Sequence, residues 1–133
     1  MHELSIAHSL VELAIPAAER EGARRVHEVR IAVGALSGVS VDSLLFCYDI
    51  ATQGTLLSGS RLVVRNVPLV VYCRRCDRDV ELAGPTSFRC PVCDTASGDI
   101  RQGRELHIEG LEIDARDDGT DQAAAPEDGK KAT

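Results

Sequence analysis

Apolar and polar positions alternate along this chain with two different periods, and the changes between them mark its elements. In "HELSIAHSLVELAIPAAEREGA" the apolar residues recur at helical spacing. Leu4, Ala7, Val11, Ala14 and Ala18 share one face, extended by Ile6, Leu10, Leu13 and Ala17, which predicts an amphipathic helix. Ser5, Ser9, Glu12 and Glu19 line the opposite face, and Pro16 falls there too. A proline removes one helical hydrogen bond, so a kink or an end of the first segment is expected at Pro16. Gly22 is suited to stop the helix. The period then changes to two. In "RVHEVRIAVGALS" His27, Val29, Ile31 and Val33 point one way and Glu28 and Arg30 the other, the pattern of a half-buried strand.

"VSVDSLLFCYDIATQGT" returns to helical spacing, with Ser40 as the expected cap and Gly54-Thr55 as the break. "RLVVRNVPLVVYC" reads as a second strand, in which Pro68 implies an edge position or an interruption. "RELHIEGLEID" reads as a third. Leu106 and Ile108 share one parity and Leu111 and Ile113 the other, so a bulge or bend is expected at Glu109-Gly110.

The order of elements is helix, strand, helix, strand, cysteine segment, strand. The implied fold class is α+β, with a small sheet of about three strands, two helices and an inserted zinc-ribbon module. The α+β domain is assigned to residues 1–70 and 104–113 and the module to 71–103. Residues 114–133 have no period and no large apolar residue, and are expected to form a disordered acidic tail.

Composition narrows the function. The chain has 133 residues, and at 3% aromatic with no Trp its core must be aliphatic. No apolar run approaches the ~20 residues of a membrane span. The N-terminus lacks the basic, then apolar, pattern of a secretion signal, so a cytoplasmic location is expected. Net charge is -6, and both lysines lie beyond Glu112. An acidic chain with few aromatic rings lacks the basic excess and stacking platforms of a nucleic-acid binder.

The strongest motif is "CRRC", thirteen residues, then "CPVC". Cys73, Cys76, Cys90 and Cys93 form two CxxC knuckles, each aiming two thiolates at one point. Together they supply the four ligands of a closed tetrahedral Zn(II) site. Redox dithiols and an iron site are the alternatives that spacing leaves open. Four thiolates around Zn²⁺ carry a net -2, and Arg74, Arg75, Arg78 and Arg89 surround them. They serve either to offset that charge or as part of a nucleic-acid-binding ribbon, and the interspersed Asp77, Asp79, Glu81 and Asp94 favour the first. A closed Cys₄ site has no open position for substrate, which makes it structural or sensory.

The other residues are weighed singly. Cys47, in "LLFCYDI", is expected to be a buried small hydrophobe. His8, His27 and His107 read as surface positions. No phosphate loop, nucleophile elbow or HExxH is present, so no catalytic constellation emerges. His2 is different because it follows the α-amine. That amine, the backbone nitrogen and imidazole of His2, and the amide nitrogen of Glu3 could close a planar nitrogen set of the kind that suits Ni(II) or Cu(II).

These residues resemble a known family. "MHELSIAHSLVELA", "VGALSGVSVDSLLF", "GTLLSGSRL" and "CRRC…CPVC" followed by "GREL" are similar to the HypA-type nickel metallochaperones of [NiFe] hydrogenase maturation. The resemblance covers about residues 1–113. It implies a non-enzymatic carrier that binds Ni(II) through Met1, His2 and Glu3 as transient cargo and Zn(II) through Cys73, Cys76, Cys90 and Cys93. The partners it implies are a nickel-handling maturation GTPase and the hydrogenase large subunit, and urease maturation proteins for some members. No nucleic-acid or membrane partner is expected, and the carrier would be a monomer or weak homodimer. Members often carry acidic residues and a proline where this chain reads "SGVSVDSL", with Asp42 its one acid. A zinc-ribbon regulator and a thiol redox protein are the rival functions.

Overall fold

The structure, a computed structural model, describes residues 2–115 together with residues 131 and 132. Its elements run α1 (Glu3–Arg20), β1 (Ala23–Gly34), α2 (Val41–Ala51), β2 (Arg61–Val67), β3 (Val70–Cys73), β4 (Arg78–Glu81), β5 (Ile100–Gln102), β6 (Leu106–Ala115) and β7 (Lys131–Ala132). The strands form a four-stranded sheet in the order β2-β1-β6-β7 and a three-stranded sheet in the order β4-β3-β5. The α+β class holds, with two helices and seven strands in two small sheets among the described residues. Pro68 is the reason for part of that division. It has no N–H for a ladder, and "RLVVRNVPLVVYC" divides there into β2 and β3, which belong to different sheets.

The chain divides into two compact units, Met1–Ile31, Val39–Val64 and Ile108–Thr133 in one, Ala32–Gly38 and Arg65–His107 in the other. The second contains the expected module, 71–103, and adds residues on both sides of it.

In the first unit α1 buries Ile6, Ala7, Leu10, Val11, Ala14 and Ala18. At about 100° per residue these cover an arc of roughly 140°. Leu4 and Leu13 lie about 20° beyond its two edges by the same geometry, and they are 41% and 64% exposed, outside the buried face expected for them. The helix does not end at Pro16. Pro16 lies on the exposed side, where water can reach the carbonyl that loses its donor. Ser40 caps α2, its side chain accepting from Ser43 N. That helix buries Leu44, Tyr48 and Ala51 at positions i, i+4 and i+7. Tyr48 is 1% exposed, and its hydroxyl lies 2.6 Å from that of Ser60, itself buried.

In β1, Val29, Ile31 and Val33 are buried as expected, while His27 is exposed and its Nε2 lies 2.9 Å from Asp114 Oδ2. The parity change in β6 appears as consecutive burial of Gly110 and Leu111. β7 pairs with β6, Leu111 opposite Ala132 and Glu112 opposite Lys131. Four residues of the expected tail are therefore strand, Asp114 and Ala115 in β6 and Lys131 and Ala132 in β7, and the expectation of disorder for residues 116–130 and 133 falls outside the described residues.

The second unit packs Leu69, Val71, Val80 and Leu82 with Cys73 and Cys90, and Leu36, Phe88 and Ile100 lean on that cluster. Its backbone is tightly stitched where residues 34–36 meet 103–105. Gly34 N donates to Glu105 O at 2.7 Å, and Leu36 N to Gly103 O at 2.6 Å. A Cβ on Gly34 would lie 2.1 Å from Gly103 O, so only glycine fits.

Candidate metal centres

Each knuckle of the second unit is built the same way. Cys73 ends β3, and the turn after it returns Asp77 N to Cys73 O at 2.8 Å. In the second knuckle Asp94 N returns to Cys90 O at 2.8 Å. Asp77 and Asp94 both take left-handed backbone, at φ 56° and 64°, a conformation that Asp tolerates better than most residues. The sequence carries this turn as a repeated C-x-x-C-D.

The turns bring the four Sγ atoms within 4.8 Å of one another. Cys73 and Cys93 are 3.5 Å apart and Cys76 and Cys90 3.8 Å. A tetrahedron with ~2.3 Å metal–sulfur bonds has edges of about 3.8 Å, so the cage fits a Cys₄ ion of the kind zinc occupies. These two pairs join one knuckle to the other, and the thiols within each knuckle lie within the same 4.8 Å, so the four form one cluster. All five cysteines are free thiols.

The thiols are primed unequally. Cys93 is pulled down to about 6 by the Thr95 hydroxyl, 3.1 Å away, and by the Thr95 N–H. Cys76 is pushed up to about 12, chiefly by its hydrogen bond with Cys93 and by burial. Burial pushes Cys90 up, but the N–H groups of Cys93 and Val92 outweigh it and hold the thiol below its ordinary value. Cys76, Cys90 and Cys93 are thus shifted by one another and by nearby donors, and a metal binds such ligands by displacing their protons.

The other candidate lies at the start of α1. His2 is exposed and extended, with φ −93° and ψ 133°, and its carbonyl accepts the first helical bond, from Ile6 N at 3.2 Å. The N–H groups of Glu3, Leu4 and Ser5 precede any helical acceptor, so the Glu3 amide is not held by the helix ladder. The Glu3 carboxylate turns to α2, where Oε2 accepts from Ser40 N at 2.9 Å. That bond holds the Glu3 carboxyl below its usual value. Met1 lies outside the described residues.

His2 and Glu3 border a groove of about 490 Å³ whose other wall is α2, through Asp42, Ser43, Phe46 and Cys47. Cys47 is half-buried and lines this groove. It is not the buried core residue the sequence suggested, because the buried side of α2 is the Leu44, Tyr48 and Ala51 side. Among the described residues the knuckle cysteines are the one set of three or more such donors close enough to share an ion. The groove donors do not converge in that way.

A small α+β protein with an inserted four-thiolate cage defines a metal-handling class, and sequence comparison specifies it. The model for "Hydrogenase/urease nickel incorporation, metallochaperone, hypA" matches residues 1–113. A hydrogenase maturation factor HypA of Roseiflexus sp. is 49% identical over 125 residues, covering 94% of this chain and 99% of that one. Its counterpart in Chloroflexus aurantiacus is 47% identical over 112 residues, covering 84% and 98%. The solution structure of the Ni metallochaperone HypA from Helicobacter pylori shares the fold, at a TM-score of 0.62 and 21% identity over 87% of this chain and all of that one. The chain belongs to the HypA family of nickel-incorporation metallochaperones in hydrogenase maturation. No helix among the described residues is long and apolar enough to cross a membrane.

Proposed function

We propose that this chain carries Ni(II) at its N-terminus for insertion into the [NiFe] hydrogenase large subunit, with Zn(II) held by Cys73, Cys76, Cys90 and Cys93 as a structural ion. The observation that carries the reading is the setting of His2. It is exposed, extended and followed by an amide outside the helical ladder, in a chain matched to its family from residue 1. The α-amine of Met1, the His2 nitrogens and the Glu3 amide make a planar nitrogen set. The Glu3 carboxylate, engaged with Ser40, fixes the start of α1 beside the groove. Because the groove donors do not form a cage, cargo is held mainly by the terminus and is open to release. Hand-over to a nickel-handling GTPase, service to urease maturation, and a cytoplasmic monomer or weak homodimer complete the proposal.

The test is calorimetric titration of untagged, zinc-loaded protein with Ni²⁺. His2→Ala should abolish tight binding. A Gly-Ser extension before Met1 should weaken it nearly as much, because it converts the amine into an amide that gives up its proton far less readily. Zinc content should stay the same in both. Equal nickel affinity for native and extended termini would defeat the chelate.

A further inference from the structure

The second unit carries a groove that neither metal site uses. It has a volume of about 530 Å³ and lies between Arg74, Arg75 and Tyr72 on one side and residues 95–99 on the other. That volume is within the ~300–1,000 Å³ of ordinary ligand sites. We infer that this groove is a docking site for an acidic peptide segment of a partner protein, whose carboxylates pair with Arg74 and Arg75.

The guanidinium groups are available. Both arginines are exposed, and neither makes a hydrogen bond or ion pair among the described residues. They stand side by side in the turn between Cys73 and Cys76, so the metal cage fixes the backbone that presents them. Two other arginines of the unit, Arg89 and Arg101, are already engaged. Arg89 Nη1 donates to Asp94 O at 3.0 Å, and Arg101 pairs with Asp79 and Asp99.

The opposite wall is rigid. Cys90 N donates to Thr95 O, Ser97 N to Phe88 O and Tyr72 N to Asp99 O, each at 2.9 Å. The Ser97 hydroxyl donates to Tyr72 O. Gly98 adds no side chain there, and a Cβ built on it would meet nothing within 4 Å. A pre-ordered wall saves the ligand the cost of ordering one.

Charge and stacking select the ligand. Arg74, Arg75 and Asp99 give the lining a net charge of +1, enough for one or two carboxylates and poor for a polyphosphate backbone. A nucleic acid would also need a free ring. The Tyr72 ring has Arg101 4.9 Å above its centroid, and its hydroxyl donates to Asp77. Paired, forked guanidinium groups match carboxylates well.

The test uses the full chain loaded with zinc, in the absence of nickel. The probe is an acetylated, amidated pentapeptide of Asp and Glu, followed by amide NMR shifts. Its isosteric Asn/Gln version, inorganic phosphate and an oligothymidylate are run beside it. The acidic peptide should shift the amides of Arg74, Arg75 and residues 96–99. The double substitution Arg74→Gln/Arg75→Gln should weaken binding by at least about tenfold, with zinc content unchanged, since two charge-assisted pairs are lost. Equal binding of the Asn/Gln peptide overturns the inference. So does tighter binding of phosphate or the oligonucleotide, shifts confined to other surfaces, or binding unchanged in the double variant.

Discussion

Removing the metal from the cysteine cage is the most informative perturbation, because the second unit has little else to hold it. Its buried cluster has four aliphatic side chains, Leu69, Val71, Val80 and Leu82, and two ligands, Cys73 and Cys90. Burying four such side chains is worth about 6–12 kcal/mol at ~1.5–3 kcal/mol each, and that is an upper figure. A structural Zn²⁺ contributes ~10–16 kcal/mol near neutral pH. On the proposed zinc reading the metal is the largest single term, and it acts on Cys73 and Cys90, which close the cluster. Cys90→Ser, or chelation, should unravel residues 70–102 while α1 and α2 keep their packing. Proton competition sets the pH dependence. With Cys93 at about 6 and Cys76 at about 12, the metal-free cluster at pH 7 holds the Cys93 thiolate and the Cys76 thiol. Metal must displace the second proton but not the first. Affinity should fall about tenfold per pH unit for each proton displaced, and one proton more steeply below about 6, where Cys93 also protonates. Amide NMR with metal analysis across pH 5–8 reads both effects. Dispersed, native resonances for Val71, Val80 and Leu82 in metal-free protein would refute the argument, as would a sulfur-free coordination shell by X-ray absorption.

Three further outcomes follow from packing and charge. Tyr48→Phe leaves the buried Ser60 hydroxyl without its 2.6 Å partner and should cost about 1–2 kcal/mol; in a chemical-denaturation cycle with Ser60→Ala, additive losses would refute the coupling. Gly34→Ala places a Cβ 2.1 Å from Gly103 O and 2.6 Å from Glu105 N. These are backbone atoms that cannot rotate away, so the loss should reach the exceptional range above ~4 kcal/mol; a melting temperature within a few degrees of wild type would contradict it. Glu28 is held below the ordinary carboxylate value by hydrogen bonds from Arg30, at 3.1 Å, and Arg61, at 2.9 Å. Its contribution is complete above the ordinary value of 4.5 and is lost as pH falls through the lower folded value. Glu28→Gln should cost up to about 1 kcal/mol at pH 7 and flatten the acid limb of the stability curve. Parallel acid limbs for the two proteins would refute this.

By itself the sequence determined whatever depends on local spacing. The 3.6-residue period placed α1, the Ser40 cap placed the start of α2, and Pro68 divided β2 from β3, because each signal acts within a turn or two of itself. The two C-x-x-C turns identified a four-thiol cage, since a knuckle is a local structure. Tertiary structure decided what depends on the far neighbour. Leu13 belongs to the apolar stripe of α1 but lies just outside its buried arc, and only packing sets where that arc ends. Cys47 reads as core, yet α2 turns Leu44, Tyr48 and Ala51 inward and leaves Cys47 beside His2. The bond from Ser40 N to Glu3 Oε2 joins residues 37 positions apart, and no period in the chain encodes it. Nothing local marks Gly34 or Gly103; their role appears only where two backbone segments meet. The pairing of Lys131–Ala132 with β6 was invisible because a two-residue strand has no pattern of its own. It exists only where another strand offers its edge.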